Sequence, residues 1–188
     1  AKELYLLDDG PDYVHDLQGW LEDYLGELDM REMYAELGSV CRKLLEMFAW
    51  EEEYPSDIRF LLASALESQG KSEEALGLCS EWASKETDNP YAAAALIYAK
   101  INVNDLEGAE EIVKQHISDD TVCDEENDVI FAAAVRLYQK NGNKKMEKKM
   151  DNAREEYDKK LGAYLMGLDD EYGFGDDEEF MDDELPFS

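Results

Sequence analysis

SDIRFLLASALESQGKSEEALGLCSEWASKETDN (residues 56–89) and PYAAAALIYAKINVNDLEGAEEIVKQHIS (residues 90–118) read as one helical hairpin written twice. Laying Lys71-Ser72-Glu73-Glu74-Ala75-Leu76 on Asp105-Leu106-Glu107-Gly108-Ala109-Glu110 puts Ala75 and Ala109 34 residues apart. A period of that length belongs to arrays of two-helix units. The expected fold is therefore all-α.

Two antiparallel helices come close only where their side chains are short, and Ala63, Ala75, Ala95 and Ala109 supply such places. Larger apolar residues at helical spacing form a stripe: Ile58, Leu61, Leu62 and Leu66, then Leu76, Leu78, Cys79 and Trp82. That stripe is too wide for one hairpin to cover, so a neighbouring copy must bury the rest. Gly70 is a helix stop, and Ser72 with Glu74 and Ala75 restarts the chain as a helix. In the second copy Asn104 and Asp105 take that place without a glycine.

The Gln69-Gly70-Lys71-x-Glu-Glu-Ala75 turn, the period and the closing Asn89-Pro90 make residues 56–118 resemble the tetratricopeptide repeat family, over about a third of the chain. The form is degenerate. Arg59 and Ala93 stand where the family has a bulky aromatic early in the first helix, and Leu66 and Lys100 replace the aromatic near its end. The resemblance implies a right-handed α-α superhelix of about four hairpins. It also implies a concave face, made by the first helix of each pair, that holds an extended peptide or a helix. The family's clamp for a terminal carboxylate uses Lys, Arg and Asn on those helices. Here the bases are mainly Arg59, Lys100 and Arg136, so a basic or mixed-charge ligand is expected rather than that clamp. The candidate partner-binding residues of the face are Arg59, Tyr91, Tyr98, Phe131 and Tyr138.

Outward from this pair, 188 residues of which 44% are hydrophobic suffice for one domain with a sizeable core. The formal charge of −29 sets the chain against nucleic-acid backbones and anionic membranes, which are polyanions too. A protein or peptide partner, basic in charge, is expected instead, and for most of the surface the same charge reads equally as a solubility device. Cys41, Cys79 and Cys123 stand 38 and 44 residues apart without a CxxC, which fits neither a disulfide framework nor a zinc site. Reduced thiols are expected, the first two packed. No apolar run approaches about 18 residues and no signal peptide is visible, which predicts a cytoplasmic protein. Starting at Ala1 rather than Met, the chain reads as a processed form or an excised piece of a longer protein.

Residues 1–10 read as a lead-in and residues 11–55 as a long N-terminal hairpin. Pro11 suits a first helical turn, and Val14, Leu17, Leu21, Tyr24, Leu25 and Leu28 recur at helical spacing. A second helix from Asp29 carries Met33, Leu37, Val40, Cys41, Leu44, Leu45, Met47 and Phe48, and Pro55 closes the block. Residues 1–57 hold 16 acids against Lys2, Arg31, Arg42 and Lys43, with Trp20, Tyr24, Tyr34 and Trp50 interspersed. Those aromatics read first as core packing, second as an aromatic and acidic groove for a basic peptide.

Residues 119–167 read as an atypical C-terminal hairpin, with Asp124 as N-cap, Val129, Ile130, Ala133, Ala134, Leu137 and Tyr138 on one helix, and a turn at Asn141-Gly142-Asn143. The last helix should run from Lys144 to Met166. Residues 140–160 hold 8 of the 18 basic residues, whereas residues 169–184 hold ten acids and no base. The tail, 168–188, is expected to be disordered or docked. A tail lying across the basic helix or in a partner's pocket, in a regulatory or accessory domain of a larger protein, is the alternative functional reading. Its end, Phe180-Met181-Asp182-Asp183-Glu184-Leu185-Pro186-Phe187, resembles the acidic tip of bacterial single-stranded-DNA-binding proteins. That resemblance implies a docking role for Leu185, Pro186 and Phe187. Ser188 follows where the family ends on its carboxylate.

No residue pattern points to catalysis. His15 and His116 are far apart, neither a nucleophile context nor a Gly-rich phosphate loop is visible, and the acidic runs lack the D-x-D-x-D-G loop that calcium requires. The expectation is a non-enzymatic scaffold or adaptor with no cofactor and no metal.

Overall fold

Helices begin and end where short-range chemistry tells them to. The computed structural model describes residues 2–4, 6, 16–50 and 55–166. Among these it contains eight helices: α1 (Leu17–Met30), α2 (Tyr34–Met47), α3 (Ser56–Ser68), α4 (Ser72–Lys85), α5 (Pro90–Asn102), α6 (Leu106–His116), α7 (Asp128–Asn141) and α8 (Lys144–Leu165). The all-α expectation holds for the described residues. The only pairing of extended backbone among them is an isolated bridge between Glu3 and Ala49.

One turn design recurs in all four helix pairs. Glu32, Gly70, Asn104 and Gly142 each adopt the left-handed conformation, with φ of 57°, 73°, 64° and 77°. The next residue's N–H then reaches back to a carbonyl of the preceding helix: Met33 to Leu28 (2.9 Å), Lys71 to Leu66 (3.0 Å), Asp105 to Lys100 (2.8 Å) and Asn143 to Tyr138 (3.0 Å). This is the bond that satisfies helix carbonyls left without a partner at a C-terminus. Gly70, Asn104 and Gly142 announce it in the sequence because glycine and asparagine tolerate the conformation. Glu32 does not, which is why the expected start of the second helix at Asp29 falls five residues before its observed start at Tyr34. The following helices are capped by Asp105, which accepts from the Gly108 N–H at 3.0 Å, and Asn143, which accepts from Met146 at 3.2 Å. Asp124 is not the cap of α7. Its carboxylate accepts from the Glu126 and Asn127 N–H groups in the preceding turn, and Asn127 occupies the cap position.

Consecutive helices pack on one another, and the first helices of successive pairs also touch, α3 on α5 and α5 on α7. The apolar interior passes along the chain as three linked clusters. Leu25, Leu28, Leu37, Cys41, Leu62 and Leu66 form the first, and Cys79, Trp82, Ala92 and Ala95 the second. Ile97, Ala109, Val113, Phe131, Leu137, Tyr138 and Met150 form the third. Leu78 touches the first two clusters and Phe60 the last two. The four alanines expected at close approaches are all buried.

Residues 2–4 do more than lead in. The Ala49 N–H donates to the Lys2 carbonyl at 3.0 Å, and Leu4 is buried. No local pattern announces this, because the bridge joins segments 46 residues apart.

Candidate functional site

Arg59, the first of the candidate partner-binding residues, is engaged within the fold. Its guanidinium pairs with the Glu86 carboxylate and lies 5.6 Å from the centre of the Trp82 ring. Glu86 also accepts from Trp82 Nε1 at 2.9 Å and Asn89 Nδ2 at 2.8 Å. Burial alone pushes the Glu86 carboxyl up, but the bonds from Trp82, Asn89 and Arg59 outweigh it and hold the group below its ordinary value. Asn89 in turn caps α5 through the Tyr91 and Ala92 N–H groups and donates to Ser56 Oγ at 3.0 Å. The network therefore fastens the end of α4 to the starts of α3 and α5. Arg59 faces α2 and α4, beside Leu45, Leu78 and Glu81.

One helical position further on, Phe60 faces the other way. Phe60, Ala63, Ser64 and Glu67 of α3 and Ala95, Tyr98, Ala99 and Asn102 of α5 line a groove of about 260 Å³ with Cys79 of α4 at its floor. The spacing along each wall is that of one helical face. Phe60 and Tyr98 meet edge to face, ring centres 6.1 Å apart. Glu67 Oε2 accepts from Ser72 Oγ at 2.7 Å, whereas its Oε1 is buried without a hydrogen-bond partner among the described residues. A carboxylate oxygen in that state lacks the bonds it would have in water. Burial pushes the Tyr98 hydroxyl up, with the charges of Arg154 and Arg136 pulling the other way. The groove thus has an apolar floor, a half-satisfied carboxylate on one wall, and two guanidinium charges acting on its opposite wall.

Of the residues expected to form a partner site, only Tyr98 lines this groove. Tyr91 is exposed at the first turn of α5 outside it. Phe131 and Tyr138 are corrected outright: they are 0% and 2% exposed, packed in the third cluster, and present no surface to a ligand. Lys100 is bound to Asp105 at 2.5 Å, which leaves Arg136 as the exposed base of the three considered on first helices. Leu185, Pro186 and Phe187 lie outside the described residues. Phe60, Ser64, Glu67 and Asn102 were missed. Phe60, Ala63, Ser64 and Glu67 follow i, i+3, i+4, i+7 spacing, as do Ala95, Tyr98, Ala99 and Asn102, but nothing local says which face of α3 looks toward α5.

The thiols are held protonated. Burial pushes Cys41 up to about 11 and Cys123 to about 11; Cys79 rises to about 12, through burial first and then the charge of Glu67. Among the described residues no cluster of three or more His, Cys, Asp or Glu side chains is placed to hold a metal ion, and no helix is long and apolar enough to cross a membrane. Comparison with protein families, with curated proteins and with solved structures gives no match.

Proposed function

We propose that this chain is a non-enzymatic, tetratricopeptide-like interaction module, its four hairpins stacked as a right-handed superhelix, which binds a peptide or helix of a protein partner in the groove between α3 and α5. Two features support the superhelix: the turn repeated in all four pairs, and the first helices meeting in the order α3, α5, α7. The observation that carries the binding reading is the Glu67 carboxylate on the groove wall, with one oxygen lacking a partner among the described residues. Turned toward the groove, that buried oxygen would accept from a lysine, arginine or backbone N–H brought by a ligand, and the apolar floor would take a neighbouring aliphatic side chain. The ligand is basic or mixed in charge, because it meets Glu67 on one wall and must tolerate Arg136 and Arg154 near the other. The same reading places the module in the cytoplasm, with thiols too weakly acidic to serve as nucleophiles.

The test is a random peptide library selected on the intact chain. Selected peptides should combine a base with an aliphatic residue. They should bind Tyr98→Ala roughly tenfold more weakly and lose affinity again at about 0.5 M salt. Equal binding to Tyr98→Ala, or indifference to salt, refutes the groove as the site.

A further inference from the structure

The far end of the molecule carries a second surface that the groove does not use. On α1 the buried stripe is Leu25 and Leu28, with Leu21 packed beside them. Trp20 and Tyr24, one turn apart, lie off that stripe and are 57% and 39% exposed. Two large rings left in water would ordinarily turn onto the nearest apolar surface. Here they stack on each other instead, ring centres 5.4 Å apart and planes 2° from parallel. The surroundings are acidic. Asp23 is exposed three residues from Trp20, on the same helical face by its spacing, and Asp16, the cap of α1, is exposed just ahead of the helix. Asp16 spends one oxygen on the Gly19 N–H at 2.7 Å. Arg31, a turn beyond Glu27, forms an exposed ion pair with it.

We propose that this face of α1 docks an arginine-bearing segment of a basic partner protein, one guanidinium stacking on the Trp20–Tyr24 pair while Asp16 and Asp23 accept its N–H groups. Charge complementarity selects that occupant. A planar guanidinium extends a stack of parallel rings and offers its N–H groups sideways to carboxylates, whereas a lysine ammonium is a strongly hydrated point charge that does neither as well. The net charge of −29 draws basic partners and makes a second copy of this chain repulsive, even though α8 exposes Lys145, Lys148 and Lys160 without an ion pair among the described residues.

A nine-residue arginine peptide titrated into the whole chain tests the idea. Trp20→Ala and Tyr24→Ala replace exposed side chains, and circular dichroism checks that each still folds. Each should weaken the peptide roughly fivefold, Trp20→Phe should fall between, and a nine-residue lysine peptide should bind the native chain more weakly than the arginine one. Affinities within about twofold for both alanine variants would reduce the binding to diffuse attraction by a polyanion and overturn the proposal. Loss of the peptide in Tyr98→Ala with binding kept in Trp20→Ala would assign it to the groove, sparing the proposed function and ending this one. Self-association of the native chain in sedimentation that Trp20→Ala abolishes would make the occupant a second copy, which also refutes the basic partner. Unaltered peptide binding in Tyr98→Ala alongside the loss in Trp20→Ala supports the α1 surface independently of the groove.

Discussion

Helix α5 touches α3 on one side and α7 on the other, and the two junctions are built differently. Toward α7 it presents Ala93, Ala94, Ile97 and Ile101, which share one buried cluster with Phe131, Ala134 and Tyr138. Toward α3 it presents Ala95, Tyr98, Ala99 and Asn102, and an open groove remains. Large rings of α7 interlock with short residues of α5 in the first case. In the second, two rings meet edge to face at the surface, and polar residues end each wall. A repeat can therefore be the same in its turns and yet closed at one joint and open at the next. The difference lies in which residue sizes oppose one another.

The largest expected effect comes from breaking the closed junction. Phe131→Ala should cost about 3–5 kcal/mol in urea unfolding, since it empties a fully enclosed site, while Phe60→Ala at the groove should cost less than half of that. A reversed order would mean that the two joints are not distinguished as described.

Next comes the polar clasp that fixes one end of the open junction. Glu86→Gln leaves the Arg59 guanidinium without its counter-charge and should cost about 1–3 kcal/mol at neutral pH. The sign with pH follows from the depressed Glu86 carboxyl. Its contribution is complete above its ordinary value of 4.5 and is lost as pH falls through the lower folded value. The gap between native chain and variant should therefore narrow in acid. A gap that stays constant from neutral pH down to about pH 3 would remove Glu86 from this role.

The smallest effect concerns the groove floor. Cys79 is fully enclosed despite lining the groove, so iodoacetamide at neutral pH should modify half-buried Cys123 first. Cys79 and Cys41 should follow at least about tenfold more slowly, through opening of the fold. Equal rates for Cys79 and Cys123 would show a groove already open to its base.

Much of this was legible before any coordinates. Gly70, Asn104 and Gly142 sit at turns because their types tolerate a left-handed backbone, and Asn89 with Pro90 marks the start of α5. The site was less legible. Arg59, Phe131 and Tyr138 are candidates because they lie on first helices and belong to types that dominate interfaces. Those same types also tie helices together, and in this molecule all three do so. Trp20 and Tyr24 went the other way, packing against each other in water when core packing was the first reading.

By itself the sequence determined the helices, three of their four connecting turns and the need for neighbours, because those depend on backbone preferences and spacing within a few residues. Only the tertiary structure decided which helix face meets which neighbour: Phe60 into the groove, Arg59 away from it, Leu4 under cover. A helical stripe can rotate by one residue with little local penalty, and what fixes the rotation is the fit of side chains far apart in the chain.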